Sequence, residues 1–350
     1  MARMDPVLSQ FTEAVAAGRG LSKDEASRAA LSLVSESVTD PEREAFLLAL
    51  ARKGETAEEV LGFATAYRGV CRRPDLGDLP ARAIDIVGTG GDRSGSFNIS
   101  SASALIVAAA GVPVLKHGNR SITSKSGSAD FLAGLGVRLD ADDAGLRRAL
   151  DRADFCYLFA PAFHPAFKAV GPVRRSLAER GVKTVFNVLG PLVNPASPAH
   201  MMVGVYDVRW VEPIAAALGG LGVRRGIVVH SHAGGGMDEL TTAGEARVRG
   251  CGELASVDAV WLPGDFGLRA CPVEDLRGGT PEQNLATMSD LLVGAVPDGL
   301  LDTVCLSAGA ALWVAGRASD PGAGAAAARS IVLGGGLRDE LLRLREAYEA

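Results

Sequence analysis

The residues best equipped for chemistry lie in two loops rich in glycine, hydroxyl and basic side chains. The first, Gly88-Thr89-Gly90-Gly91-Asp92-Arg93-Ser94-Gly95-Ser96-Phe97-Asn98-Ile99-Ser100-Ser101, leaves a β-branched run and enters a helical one. Glycine lets backbone N–H groups approach an anion closely, and a helix beginning near Asn98 adds unpaired donors and the positive end of a dipole. A phosphate suits such a loop. A dinucleotide-binding fingerprint would need glycine where Arg93 stands, and a P-loop would close on Gly-Lys-Ser or Gly-Lys-Thr; neither is present. The second loop, Lys116-His117-Gly118-Asn119-Arg120, follows the next apolar run, so a parallel sheet would bring it out beside the first. Lys116 and Arg120 offer cations to phosphate oxygens, and Ser121, Thr123, Ser124, Ser126 and Ser128 offer hydroxyls. The plain alternative is a tight turn beside a solvated basic edge; hydroxyls interleaved with Gly118 and Gly127 weigh against it.

Two further features are ambiguous on residue types alone. Adjacent carboxylates Asp238 and Glu239 follow Gly234 to Gly236, and Met237 to Thr242 reads most simply as an acidic helix start. Arg174 and Arg175 fall on a helix expected to begin near Pro165, where one of the pair is solvated by default. A guanidinium grips a planar carboxylate bidentately, which lysine does not match. His230 and His232 read as strand-end polar residues.

The elements that must position these loops are legible from punctuation and periodicity. Residues 1–78 carry only helix signals: Val7 to Ala17, then capping boxes Ser22/Glu25 before Ala26 to Ser35 and Thr56/Glu59 before Val60 to Tyr67. Between these two, Asp40-Pro41 predicts a cap and an N1 proline ahead of Glu42 to Lys53, with Gly54 as terminator. Pro74 to Pro80 reads as a link. From Ala83 onward short apolar runs alternate with helical stretches, predicting strands at Ala83–Val87, Val112–Leu115, Phe155–Phe159, Met201–Val205 and Gly226–His230, and helices at Ser101–Ala110 and Ser128–Leu135. Residues 282–350 return to helix, broken near Pro297, Pro321 and Gly334 to Gly336. The expectation is an α/β protein: a small helical domain, 1–78, and a large α/β domain, 79–350, with a mostly parallel central sheet and C-terminal helices.

Composition narrows the function classes. With 350 residues, 47% hydrophobic and 22% charged, the chain is a packed globular one. A net charge of −5 gives nucleic acid no general attraction, so any anion must be held locally. The five cysteines show no zinc or redox spacing and read as buried thiols; no secretory signal or membrane-length apolar run is evident, which makes the cytoplasm the expected compartment and a membrane no expected partner.

Together with Gly127-Ser128-Ala129-Asp130, in this order and spacing, the two loops resemble those of the anthranilate phosphoribosyltransferases, a family of the nucleoside-phosphorylase-like phosphoribosyltransferases. Phe46 to Thr56 resembles that family's helical-domain signature, Phe186 to Pro195 its hinge, and Met237-Asp238-Glu239 its metal motif. The resemblance implies transfer of phosphoribose from phosphoribosyl pyrophosphate (PRPP) to the amine of anthranilate, in tryptophan biosynthesis. It also implies Mg²⁺, two ions per subunit, a homodimer through the helical domain, and hinge helices at 165–195 belonging to that domain. Carried over by position, donor contacts are expected from Gly88, Gly91, Asp92, Ser96, Asn98, Ile99, Ser100, Ser101, Lys116, His117, Gly118, Asn119, Arg120, Ser121, Ile122, Thr123, Ser124 and Ser128. Gly88, Asn119 and Arg174 would hold anthranilate, with His117, His164 and Pro191 along its path; Ser100, Asp238 and Glu239 would serve magnesium; Lys116, Asp92 and Arg174 would carry catalysis. The chain departs from the family in a longer Ser176 to Lys183 segment with Lys183 where arginine is common, a stretched His230 to Gly236 loop, and Ser307 where asparagine is usual. A related transferase with another aromatic acceptor and a non-catalytic nucleic-acid-binding relative stand as alternatives; a pyrimidine nucleoside phosphorylase would need a lysine-histidine-serine loop that is missing.

Overall fold

Four helices open the chain: α1 (Pro6–Ala16), α2 (Lys23–Leu33), α3 (Asp40–Lys53) and α4 (Ala57–Val70). The computed structural model describes residues 6–120 and 126–349. Capping boxes at Ser22 and Thr56 form as predicted. The start of α3 differs: Thr39, not Asp40, is the N-cap, because its N–H donates to the Glu42 carboxylate at 2.7 Å and leaves Asp40 inside the first turn.

The remaining elements alternate. In order they are β1 (Ile84–Gly88), α5 (Ile99–Ala109), β2 (Val114–Gly118), α6 (Ser128–Gly134), α7 (Asp143–Ala153), β3 (Phe155–Phe159), α8 (Ala160–Phe163), α9 (Gly171–Glu179), α10 (Phe186–Leu189), β4 (His200–Gly204), α11 (Val211–Gly220) and β5 (Arg225–Ser231). Then come β6 (Ala246–Gly252), β7 (Asp258–Trp261), α12 (Pro281–Leu291), α13 (Asp298–Val314), α14 (Pro321–Leu333) and α15 (Gly336–Glu349). The strands form one sheet in the order β3-β2-β1-β4-β5-β6-β7. All pairs from β3 to β5 are parallel, and β5-β6-β7 are antiparallel.

The edge pair β6-β7 was not predicted. Its alternation is carried by charged residues: Arg247 and Arg249 of β6 point outward to Glu212, at 3.0 and 3.1 Å, so no apolar run marks the strand. The last residue of β1, Gly88, lies in register with the last of β4, Gly204, while β2 flanks β1 on its other side. The chain order therefore reverses at β1, and the crevice beyond the carboxyl ends of these strands is where open α/β sheets bind ligands.

Successive strand residues face opposite sides of the sheet. Met202, Ile227 and Val229 join a core formed with α5, α13 and α15, whereas Met201, Val203 and Val228 join a second core that includes α1 to α4 and residues 170–193. Helical residues from both ends of the first 200 positions thus share one buried cluster behind β4 and β5. All five cysteines are free; Cys71 and Cys271 are only half-buried, which corrects the expectation of five buried thiols.

Candidate active site

Three strands end in glycine at the crevice, and each position has a steric reason. A Cβ at Gly204 would lie 1.7 Å from the Asp238 carbonyl oxygen, and one at Gly88 would lie 2.2 Å from its Oδ2. At Gly118 a Cβ would meet the Ser128 and Tyr157 hydroxyls at 2.5 and 2.6 Å. The absence of side chains lets the Met237-Asp238-Glu239 segment lie directly across the ends of β1 and β4. That segment is not a helix start: Met237 bridges back to Ser231 after a turn in which Gly234, Gly235 and Gly236 all have positive φ.

The loop after β1 is held at both ends. Thr89 N–H donates to Gly204 O at 3.0 Å, Phe97 N–H to Leu276 O at 2.8 Å, and Gly278 N–H to Gly95 O at 2.8 Å. In between, the N–H groups of Gly91, Asp92, Arg93 and Gly95 have no protein partner among the described residues. The helix start behind them keeps fewer free donors than expected, Asn98 N–H being the one without a partner among the described residues. Ile99 N–H is spent on Phe97 O at 2.7 Å, and Ser100 N–H donates to Glu239 Oε1 at 3.1 Å. With its side chain buried in the core, Ile99 has neither group left for a ligand, contrary to expectation. Ser101 keeps a sealed hydroxyl with no partner.

Charge in this half is frustrated. Asp238 is buried, and burial together with Asp92 and Glu239 raises its pKa well above the usual carboxylate range, against the Gly90 N–H that donates to it at 2.6 Å. Glu239 is pushed up to about 7, chiefly by desolvation. Asp92 Oδ2 is buried without a partner. Lys116 is 1% exposed, its ammonium bound to Ile86 O and, at 3.4 Å, to Ser100 Oγ; burial lowers its pKa while Asp85 and Glu239 oppose that. It lies beneath the loop rather than reaching out from an edge.

These residues fit a hard cation. The donors are carboxylate and hydroxyl oxygens, and carboxylates that repel one another in a dry site are relieved by a divalent ion. Among the described residues no three His, Cys, Asp or Glu side chains form a metal cage. An ion held by Ser100, Asp238 and Glu239 would therefore complete its shell with ligand oxygens and water, the habit of Mg²⁺.

The neighbouring half is aromatic and neutral. His117 Nδ1 donates to Gly190 O at 3.2 Å, next to buried Pro191. Its ring lies 5.2 Å from His164, which stacks on Phe167 at 5.0 Å; Phe167 meets Phe186 at 5.8 Å, and the Arg174 guanidinium covers Phe186 at 4.8 Å. Desolvation holds the His117 pKa down to about 3 and that of His164 to about 4. Both Nε2 atoms are buried and unpartnered. Arg174 is half-buried and has no carboxylate partner among the described residues; Arg175 is the solvated member of the pair. The supporting helix α9 begins at Gly171, after a separate turn at Pro165–Lys168, not near Pro165 as predicted.

Residues 9–71 match the glycosyl transferase family helical bundle domain and residues 80–336 the glycosyl transferase family α/β domain. An anthranilate phosphoribosyltransferase of Rhodospirillum rubrum is 45% identical over 333 residues, covering 94% of this chain and 92% of that protein. The chain belongs to the anthranilate phosphoribosyltransferase family. The crystal structure of the Thermus thermophilus enzyme aligns with a TM-score of 0.88 at 40% identity, over 97% of this chain and 99% of that one. The Saccharomyces cerevisiae enzyme in complex with PRPP and Mg aligns at 0.86 and 25% identity, over 99% and 98%.

Set in the anthranilate phosphoribosyltransferase frame, the expected residues divide. Gly88, Ser100, Lys116, Asp238 and Glu239 meet at the strand ends, Gly91, Asp92, Ser96 and Asn98 lie along the loop after β1, and Gly118, Asn119 and Ser128 lie between the end of β2 and the start of α6. Ser128 Oγ lies 2.9 Å from the Tyr157 hydroxyl. Arg120 is exposed and pairs with Asp130 at 3.2 Å, so it is not a free cation. Ser121, Ile122, Thr123 and Ser124 lie outside the described residues. Ser307 is buried in α13 with an unpartnered hydroxyl.

Residue reading missed the supports. Asn194 donates to Asp85 Oδ2 and Leu115 O, both at 2.8 Å, holding a buried carboxylate whose pKa rises to about 6. Lys183, noted only as a departure, reaches from the hinge to donate to Gly91 O at 3.2 Å and covers the Tyr206 ring at 3.3 Å. It lines an open pocket of about 560 Å³ with Arg93, Asp92 and His232. No local pattern signals either support, because each partner lies far away in sequence.

Proposed function

We propose that this chain transfers phosphoribose from PRPP to the amine of anthranilate, giving N-(5-phosphoribosyl)anthranilate and pyrophosphate. The nitrogen–C1 bond forms as the C1–oxygen bond to pyrophosphate breaks, and one amine proton passes to the released pyrophosphate or to water. The observation that carries this reading is the junction of two halves at His117: unpartnered loop amides and raised carboxylates on one side, a neutral aromatic wall ending in an unpaired Arg174 on the other.

In this reading the N–H groups of Gly91, Asp92, Arg93 and Gly95 receive donor oxygens, with Ser96 and Asn98 offering side-chain donors, while the sealed Ser101 hydroxyl stays behind them. Preorganised donors of this kind stabilise charge as it develops, without reorganising at the moment of reaction. Lys116, buried beneath Ser100, holds positive potential under the same site. Mg²⁺ bound at Ser100, Asp238 and Glu239 supplies charge neutralisation on the leaving pyrophosphate. Arg174 pairs with the anthranilate carboxylate, and His117, His164 and Pro191 line its path. An aromatic amine is nucleophilic while neutral, and imidazoles of such low basicity leave it so. Alignment of two held substrates then supplies most of the remaining advantage.

The count of two ions per subunit, a cytoplasmic location and a homodimer through the helical domain belong to the same proposal. Exposed Leu31 and Val70, on α2 and α4, suit such a contact. We also keep the division at 78/79, with 165–195 counted to the helical body, a grouping supported by the core those segments share. Among the described residues no helix is long and apolar enough to cross a membrane.

The test is the loss of anthranilate fluorescence on mixing protein, Mg²⁺, PRPP and anthranilate. A folded chain that binds PRPP yet leaves anthranilate unchanged overturns the acceptor assignment.

A further inference from the structure

We infer that Asn284, at the start of α12, is a positioning residue that orients the Asn98 amide toward the phosphate groups of the donor; this rests on the donor site proposed above. Asn98 is the N-cap of α5, yet its side chain does not cap its own helix. Its Oδ1 accepts from Asn284 Nδ2 at 2.8 Å and from Ser126 Oγ at 3.4 Å.

Which amide atom faces which is settled by an unambiguous donor. Gly279 N–H donates to the Asn284 side chain at 2.7 Å, so the atom facing it must be Oδ1. The other arm of Asn284 is then the NH₂ group, and the Asn98 atom receiving it must be Oδ1. The chain of bonds ends with Asn98 Nδ2, which can only donate. A phosphate oxygen can only accept, so the pairing has a fixed sense.

Asn284 is itself rigid. It is 1% exposed, its N–H donates to Thr280 O at 2.9 Å, and Thr280 caps α12 in a capping box with Gln283. The preceding residues brace the same loop: Arg277 bridges Ser96, and a Cβ at Gly278 would lie 2.4 Å from Ser96 O. Residues 276–284 thus form a buttress that reaches the donor loop through backbone at Ser96 and through side chain at Asn98.

The test exploits the sense of the amide. In Asn284→Asp the carboxylate still accepts from Gly279 N–H but has nothing to donate, so Asn98 turns its NH₂ inward and presents oxygen to phosphate. The KM for PRPP is expected to rise about tenfold or more, with the anthranilate KM and the unfolding midpoint little changed. Asn284→Ala, which frees Asn98 without reversing it, gives a smaller rise. Adding Asn284→Asp to Asn98→Ala changes the PRPP KM by less than about twofold, because the residue acts only through Asn98. The inference falls if both KM values rise alike, if the PRPP KM stays put, or if the two penalties multiply. Should Asn284→Asp fail to fold, Asn284→Ala and its double variant decide by the same measurements. A wild-type chain that transfers nothing to anthranilate overturns the function; calorimetric titration of Mg²⁺·PRPP into wild type and Asn284→Asp then decides the positioning role.

Discussion

The two halves of the crevice solve binding in opposite ways. The donor half concentrates charge: Asp238, Glu239 and Lys116 lie together beside half-buried Asp92, and the pKa values of Asp238 and Glu239 are driven upward. The acceptor half removes charge: two imidazoles stay neutral, rings pack edge to face, and one guanidinium waits at the end. Their construction differs as well. Strand ends, tight glycines and backbone bonds make the donor half, whereas helices from the hinge, packed on α4 through Tyr67, make the acceptor half. A polyanionic donor rewards fixed dipoles and a cation; a flat aromatic acid rewards apolar area with one charged anchor.

Three substitutions or conditions would break or sharpen that contrast. The largest effect is expected from Asp238→Asn with Glu239→Gln, which removes the frustrated charge. kcat/KM should fall about a hundredfold or more and lose most of its response to added Mg²⁺, while anthranilate binding persists. Retained metal-dependent turnover would make the carboxylates structural. Next, Arg174→Lys keeps the charge but not the fork; the anthranilate KM should rise about tenfold with the PRPP KM unmoved. A shift in both constants would mean that the halves are not separate.

The smallest effect concerns pH. In the unfolded chain His117 and His164 take up protons near their ordinary value of 6.5, whereas folded they stay neutral down to about 3 and about 4. Between these limits the unfolded state binds more protons, so stability falls as pH drops below 6.5. Asp85 works the other way, because its folded pKa of about 6 exceeds the ordinary 3.8, and it favours the folded state as pH drops through that range. His164→Phe should therefore flatten the acid side of a urea-midpoint profile against pH. An unchanged slope would show that the His164 imidazole is not held neutral.

Much of the donor half was legible because its signals are local. Gly90, Gly91 and Gly95 adopt positive φ, the backbone state that glycine tolerates best, and clustered glycine after a β-branched run announces it. Helix caps at Ser22 and Thr56 are equally local. The acceptor half was legible only by family register, since Arg174 and Arg175 are indistinguishable until Phe186 covers one of them. Strands β6 and β7 escaped because charged residues carry their alternation.

Amino-acid order alone determined where the chain turns, where it caps, and which residues could meet an anion, because those properties depend on a few neighbouring dihedrals and side chains. Tertiary structure decided the rest: which loop amides remain free, that Glu239 takes the helix-start amide of Ser100, that Lys116 lies buried, and that Asn284 reaches Asn98. Each of these is a competition among partners distant in the chain for the same donor or the same dry space, and only folding brings the competitors together.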